Sequence, residues 1–274
     1  MLRVSRPPII TLTTDFGLTD HYVGVMRGVL LSRCPDARVV DITHEIAPFS
    51  LYGGAFAVDQ AAPYFPEGTI HLVVVDPGVG TARKPLLVEA MGQIFIAPDN
   101  GVLSLIAARD GNLRAREIAN RDLWLPSPSN TFHGRDIFAP VAAALASGAA
   151  QVPDVGPELE RIQLLPDLEP VLQEPGVWRG KVLNVDRFGN VITNFKAANF
   201  KAKFSLRIGS REVRKFRQTF GDVKGDARGD VHDTLCFVYE GSSGYLEVGM
   251  NRRSAAASLQ VSPGDSMTLR DTIS

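Results

Sequence analysis

Cysteine is scarce in this chain. Cys34 and Cys236 are the only two, they lie far apart, and neither has a neighbour at metal-ligand spacing. That argues against a zinc site and against a disulfide scaffold. Excess positive charge is missing too. The formal net charge is −1, and nucleic acid or an anionic membrane surface would need a surplus of Lys and Arg. No apolar run reaches the ~18 residues of a membrane-spanning helix. The start, Met1 to Pro8, lacks the apolar stretch of a secretory leader, so the cytoplasm is the expected location. Internal repeats and low-complexity runs are absent as well. What remains is 274 residues, 45% of them hydrophobic. That is enough for one large domain or two smaller ones with real cores, and too apolar for a disordered chain.

The most informative stretch is His71 to Arg83. It opens with the β-branched run Val73-Val74-Val75, which reads as a short strand buried on both faces. Asp76 falls where the strand should end. Pro77-Gly78 then turns the chain, and Gly80 permits a second reversal that brings Arg83 back. Ligands of open α/β sheets sit beyond the carboxyl ends of the strands. An acid and an arginine on one such loop are therefore site candidates, the alternative being a turn-stabilising Asp and a solvated Arg.

The rest of the first half has the same logic. Pro8–Thr14 reads as a strand ending in Asp15, and 21–33 as an amphipathic helix with Tyr22, Val25, Met26, Val29 and Leu30 at helical spacing. Arg38–Ile42 is a second strand, and Leu51–Tyr64 a second helix. His44 and Glu45, in the loop between them, form either a catalytic pair or a histidine that bonds backbone. Residues 86–90 and 93–97 read as a strand pair, followed by a helix from Val102 to about Ala108. Residues 109–130 read as loop with one strand-like patch at Leu123-Trp124-Leu125, and 141–147 as an alanine-rich helix. His133, at the entrance to that helix and beside Gly134, has the access a functional side chain needs. The alternation predicts a Rossmann-like α/β domain with a mostly parallel sheet over 8–152. Prolines 153, 157, 166, 170 and 175 mark 153–175 as the expected linker. Beyond it, short strands at 178–185, 191–195, 204–208, 235–239, 245–248 and 267–270 predict a small antiparallel, barrel-like β domain over 176–271. The Asp186–Asn190 turn needs its acid and amide for its own backbone bonds.

Six segments, taken in order, resemble one family. They are Thr14-Asp15-Phe16-Gly17-Leu18-Thr19-Asp20, Val75-Asp76-Pro77-Gly78-Val79-Gly80, Pro98-Asp99-Asn100-Gly101, Phe132-His133-Gly134-Arg135-Asp136, Asp186-Arg187-Phe188-Gly189-Asn190, and Gly244-Tyr245-Leu246-Glu247 with Asn251 and Ser254-Ala255-Ala256. Across residues 8–260 the chain resembles the S-adenosyl-L-methionine (SAM) hydroxide adenosyltransferases, relatives of the fluorinase and chlorinase. The resemblance implies attack of water or hydroxide on ribose C5′, releasing adenosine and methionine. SAM is then the substrate, and no cofactor or metal is expected. It also implies that Asp76, Arg83 and His133 hold and polarise the nucleophile, that Asp15 accepts the ribose hydroxyls, and that Phe49 walls the ribose. In the second domain it implies contacts to the amino-acid tail or adenine from Asp186, Asn190, Phe220, Ser243, Glu247 and Met250, the last through backbone. A homotrimer with sites at subunit interfaces is the implied assembly, with neither nucleic acid nor membrane as partner.

The departures from the fluorinase pattern are informative. Gly134 replaces a halide-binding serine, His133 a tyrosine and Asp76 an uncharged residue. Each change favours water over halide. Arg252 and Arg253 stand where the family has small residues, and 221–233 is longer and more charged. The alternatives are a SAM-dependent halogenase and a SAM- or adenosine-binding protein without turnover.

Overall fold

The computed structural model describes residues 6–200, 204–218 and 236–271. The chain divides into two compact units, Met1–Leu165 and Pro166–Ser274.

The first unit contains β1 (Ile9–Thr14), α1 (Tyr22–Arg33), β2 (Arg38–Thr43), α2 (Leu51–Ala61), β3 (Ile70–Val74), β4 (Pro85–Ala90), β5 (Gln93–Pro98), α3 (Ser104–Arg109), β6 (Arg114–Glu117), α4 (Ala139–Ala146) and β7 (Glu158–Leu159). Its strands form one seven-stranded sheet in the order β2-β1-β3-β5-β4-β6-β7. β2, β1, β3, β5 and β6 point one way, while β4 and β7 point the other. β3 explains why the sheet needs helices on both faces. Ile70, Leu72 and Val74 enter one core with Met26 and Leu30 of α1 and Val141 of α4. Val73, and Val75 just beyond the strand, enter the opposite core with Val58 of α2 and Ile106 of α3. A strand whose alternate side chains are all buried must be apolar throughout, as the Val run is. α2 lies close to the sheet because Gly54 leaves room for it: a Cβ there would meet Val75 and Val102 at 3.0 Å. Its entrance is capped by Ser50, whose hydroxyl accepts the Gly53 N–H at 3.2 Å.

Three expectations for this unit need correction. β6 lies within the stretch read as loop. Its sequence, Arg-Ala-Arg-Glu, buries only Ala115 fully and has no β-branched residue, so its strand character comes from pairing with β4. Leu123-Trp124-Leu125 is not a strand. Arg121–Leu123 is a 3₁₀ turn capped by Asn120, and Leu123 and Trp124 pack on the first core instead. The last helix begins earlier than 141, because a π-type turn at Gly134–Phe138 runs directly into α4.

The second unit contains β8 (Val171–Glu174), β9 (Val177–Val185), β10 (Val191–Lys196), β11 (Phe204–Ile208), β12 (Arg211–Val213), β13 (Cys236–Glu240), β14 (Tyr245–Met250), α5 (Ala255–Leu259) and β15 (Ser266–Asp271). The named strands pair antiparallel, in the order β12-β11-β15-β9-β10-β14-β13, with β8 added beside β9. After β12, Phe216 bridges to Val238 of β13, so the sheet nearly closes into a barrel. β8, β12 and α5 lie outside the strands and helices read from the pattern. Within 153–175, β7 pairs with β6, and the Leu165 N–H donates to Ser104 Oγ at 2.8 Å, so this stretch is pinned to the first unit at its start. Among the described residues, no helix is long and apolar enough to cross a membrane.

Candidate active site

The strand order reverses between β1 and β3. β1 pairs in parallel with β2 on one side and β3 on the other, with Thr14 opposite Val74. Connections therefore leave the two strands in opposite directions and open a crevice at their carboxyl ends. Asp15 follows β1 and Asp76 follows β3, so the topology alone brings both carboxylates to that crevice. They line a cleft of about 650 Å³ together with Phe49, His133 and Gly134. This is within the roughly 300–1,000 Å³ of small-molecule sites. Phe16, Tyr22 and Phe132 build an aromatic wall of it, with Tyr22 and Phe132 edge to face at 5.2 Å.

The loop after β3 folds back as its glycines require. Thr81 Oγ1 donates to the Gly78 carbonyl at 2.7 Å. Gly80 adopts φ +79°, and a Cβ there would lie 2.6 Å from the Asn130 carbonyl oxygen. Only glycine fits this position, and its fit docks the 76–83 loop on the segment leading to His133. Arg83 then meets Asp76 in a two-pronged ion pair. Nε donates to Oδ1 at 3.1 Å and Nη2 to Oδ2. Both side chains are only 7% exposed. Arg83 Nη2 also lies 2.7 Å from His133 Nδ1. A guanidinium has no acceptor, so Nδ1 must be the acceptor and His133 is neutral, with its proton on Nε2. Burial, and then the charge of Arg83, push the His133 pKa below its ordinary value, against the opposing pull of Asp76 and Asp136.

Asp136 carries the loop that delivers His133. It is buried and accepts from the Ser129 N–H and Oγ, both at 2.8 Å, and from Arg135 Nε at 2.6 Å. Burial pushes its carboxyl up, but these donors outweigh it and hold the pKa below the usual range. Sequence reasoning assigned Asp136 no role, although an acid in the first turn after a loop is a usable signal. Gly134 is tightly surrounded: a Cβ would lie 3.2 Å from Met26 Sδ and 3.4 Å from Val74 Cγ1.

Asp15 accepts the Phe49 N–H at 2.8 Å through Oδ2. Burial raises its pKa, and the Phe49 bond opposes the rise. Phe49 is 69% exposed at the cleft lip with φ +68°, a conformation rare for a bulky residue. His44 is buried and bonds Thr14 through its ring, so it lies behind the cleft wall and is not a cleft residue.

The remaining candidates lie on the second unit. Asp186 organises its own turn. Oδ1 accepts the Phe188 and Asn190 N–H groups at 2.9 and 2.8 Å, and Oδ2 accepts Asn190 Nδ2 at 2.8 Å. Glu247 accepts the Tyr239 hydroxyl at 2.6 Å and is near Ser243 Oγ at 3.4 Å. Burial, then the Tyr239 bond acting against it, then the Asp186 charge act on Glu247, with a net raised pKa. Asn190 and Met250 line a separate pocket of about 540 Å³ with Phe188, Arg252, Arg253 and Ser254. The Met250 side chain is part of the unit's core. Phe188 and Ser254 were not singled out by sequence reasoning. Phe220 and the 221–233 stretch lie outside the described residues. Among the described residues, no group of three or more His, Cys, Asp or Glu side chains is arranged to hold a metal ion.

Comparison with known proteins gives a consistent result. The family models described as the SAM hydroxide adenosyltransferase N-terminal and C-terminal domains match residues 10–156 and 180–268. The chain is 42% identical to an (R)-S-adenosyl-L-methionine hydrolase of Salinispora tropica, over 94% of this chain and 96% of that protein. It is 41% identical to one of Thermus thermophilus, over 92% and 95%. A fluorinase of Actinopolyspora mzabensis is more distant, at 29% identity over 95% and 96%. Among solved structures, an uncharacterized conserved protein from Thermotoga maritima superposes with a TM-score of 0.81 at 38% identity, covering 95% of this chain and 99% of that one.

Proposed function

The chain belongs to the SAM hydroxide adenosyltransferase family, and from that membership and the geometry of the cleft we propose how it works. It hydrolyses SAM, in the (R) form that its relatives' names specify, to adenosine and L-methionine. Water forms the new C5′–O bond as the C5′–S bond breaks. The sulfonium leaves as a neutral thioether, so no general acid is needed, and one proton is released. Catalysis then consists of orienting the water and stripping it of competing partners.

The observation that carries this reading is the Asp76–Arg83–His133 cluster at the cleft. Arg83 has Nε and Nη2 engaged by Asp76 and His133 while its Nη1 is without a partner, so the donors left at the cluster are Arg83 Nη1 and His133 Nε2–H, and the latter is on a residue that lines the cleft. The water donates to Asp76, which keeps acceptor capacity beyond its two Arg83 bonds, and accepts from His133. The bidentate arginine fixes the carboxylate beside the water and gives it a counter-charge. A halide in the same place would face that carboxylate without a proton to offer it, which disfavours halogenation.

Asp15 takes the ribose diol, with Phe49 as the lip. Asp186 receives the methionine ammonium, and Asn190, Ser243, Glu247 and the Met250 backbone border adenine and the amino-acid tail. We propose a cytoplasmic homotrimer in which residues from neighbouring subunits complete each site. The direct test is incubation of the purified protein with SAM in chloride buffer, followed by chromatography. Adenosine plus methionine is the expected outcome. 5′-Chloroadenosine, or unchanged SAM, overturns the reading.

A further inference from the structure

The proposed reaction leaves His44 without a task, although its side chain is buried and bonded to the residue before Asp15. Its ring is 3% exposed. Nδ1 lies 2.9 Å from Thr14 Oγ1, and Nε2 lies 3.1 Å from Asp41 Oδ1. Asp41 is in turn ion-paired with Arg27 of α1. The Thr14 hydroxyl accepts the Phe16 N–H at 3.2 Å, and its proton is then free to go to His44 Nδ1. That polarity leaves the imidazole proton on Nε2, which is near Asp41 but makes no hydrogen bond to it. Burial lowers the His44 pKa, Arg27 lowers it further, and Glu45 opposes both, in keeping with a neutral ring.

Thr14 is fully buried and cannot meet a substrate. The arrangement therefore orients rather than reacts. What it orients is Asp15. His44 grips residues on both sides of that acid, Thr14 by its ring and Gly17 by its carbonyl, which accepts the Gly17 N–H at 2.8 Å. The β1–β2 register skips Ile42 between Leu12 and Thr13, and such irregularities re-aim side chains beside active sites. From the other end of the same loop, Phe49 donates its N–H to Asp15 while holding φ +68°. A strained backbone of this kind persists only where its surroundings over-determine it.

We propose that His44 is a positioning residue. By holding Thr14 through Nδ1 and Gly17 through its carbonyl it sets the Asp15 carboxylate and the Phe49 lip in the geometry that grips the ribose 2′- and 3′-hydroxyls. This rests on the reading of Asp15 as the ribose acceptor, and the test separates the two claims. Binding of adenosine and of 2′,3′-dideoxyadenosine is measured by calorimetry for the full-length protein and for Thr14→Val, His44→Leu and His44→Asn. The expected result is that Thr14→Val and His44→Leu weaken adenosine about tenfold, the scale of one misplaced charge-assisted hydrogen bond. The dideoxy nucleoside should change by less than about twofold. His44→Asn, which restores an acceptor to Thr14, should recover most of the loss. In an Asp15→Asn background, His44→Leu should add nothing. Equal weakening of both nucleosides, or unchanged adenosine binding, overturns the positioning role. If His44→Leu fails to fold, Thr14→Val decides alone, because it keeps the shape of the residue. Wild-type protein that fails to distinguish the two nucleosides overturns the Asp15 reading instead.

Discussion

Removing Asp76 should do two separable things. In the folded protein its carboxylate accepts two Arg83 bonds, with both side chains 7% exposed. Asp76→Ala therefore leaves a buried guanidinium without its counter-charge, and breaking such a pair destabilises by about 3–5 kcal/mol. On the proposed mechanism the same change also removes the group that receives the water's proton. Loss of a positioned base lowers turnover by a factor on the order of 10², about 2.7 kcal/mol of barrier. A second variant separates the effects. In Asp76→Leu/Arg83→Met no buried charge is left unpaired, and apolar replacements of similar volume recover the stability of buried pairs. Denaturant unfolding should show the single variant destabilised and the double variant close to wild type. Single-turnover assays with SAM should show both variants slow. If the double variant recovers turnover along with stability, the single variant's defect comes from the unpaired arginine, and Asp76 is not the base.

Three further outcomes are expected. Asp15→Asn should weaken SAM and adenosine together, because charge-assisted hydrogen bonds are roughly twice as strong as neutral ones. A 2′-deoxy analogue should lose less, and equal losses in titration calorimetry would remove Asp15 from the diol. Gly80→Ala should destabilise the protein by at least about 1 kcal/mol, since it places a Cβ at φ +79° and 2.6 Å from the Asn130 carbonyl oxygen. It should also lower kcat by displacing Arg83 from His133, and a thermal shift with unchanged kcat contradicts that link. His71 is fully buried, bonds Thr11 Oγ1 at 2.7 Å, and has its pKa pushed down by burial to about 4 from the ordinary 6.5. Between these values the unfolded chain binds more protons. Stability should therefore be fully present above pH 6.5 and fall by up to about 1.4 kcal/mol per unit as the pH drops to about 4. His71→Gln should flatten that slope in denaturant titrations, and an unchanged slope assigns the loss to other groups.

Much of the first unit was legible because its signals are local. The Val73–Val75 run, the acids at the ends of β1 and β3, and the helical spacing of α1 each announce themselves within a few residues. β6 did not, because an edge-like Arg-Ala-Arg-Glu strand takes its structure from β4 rather than from its own side chains. The link from Arg83 to His133 spans 50 positions; the family resemblance grouped the two residues, but no periodicity or turn signal in either segment gives the contact. The neutral tautomer of His133 follows only from that contact. Likewise, the Thr14–His44 contact lies beside a register irregularity between parallel strands, which sequence periodicity cannot reveal. In the second unit the longer strands were visible, whereas three-residue β12 and the short α5 fall below the length at which a period can be read. Asp186 shows the limit of motif reading. Its turn-forming bonds and its expected contact to substrate use the same carboxylate, and the turn alone would require an acid there.

On the proposed mechanism the cluster of Asp76, Arg83 and His133 presents water, not halide, to ribose C5′. Mass spectrometry of the nucleoside formed from SAM in ¹⁸O-labelled water, with and without added chloride or fluoride, tests it most directly. Adenosine carrying one solvent oxygen at C5′ is expected under every condition. Unlabelled adenosine would remove solvent water as the nucleophile, and a halogenated nucleoside as the main product would contradict the water site itself.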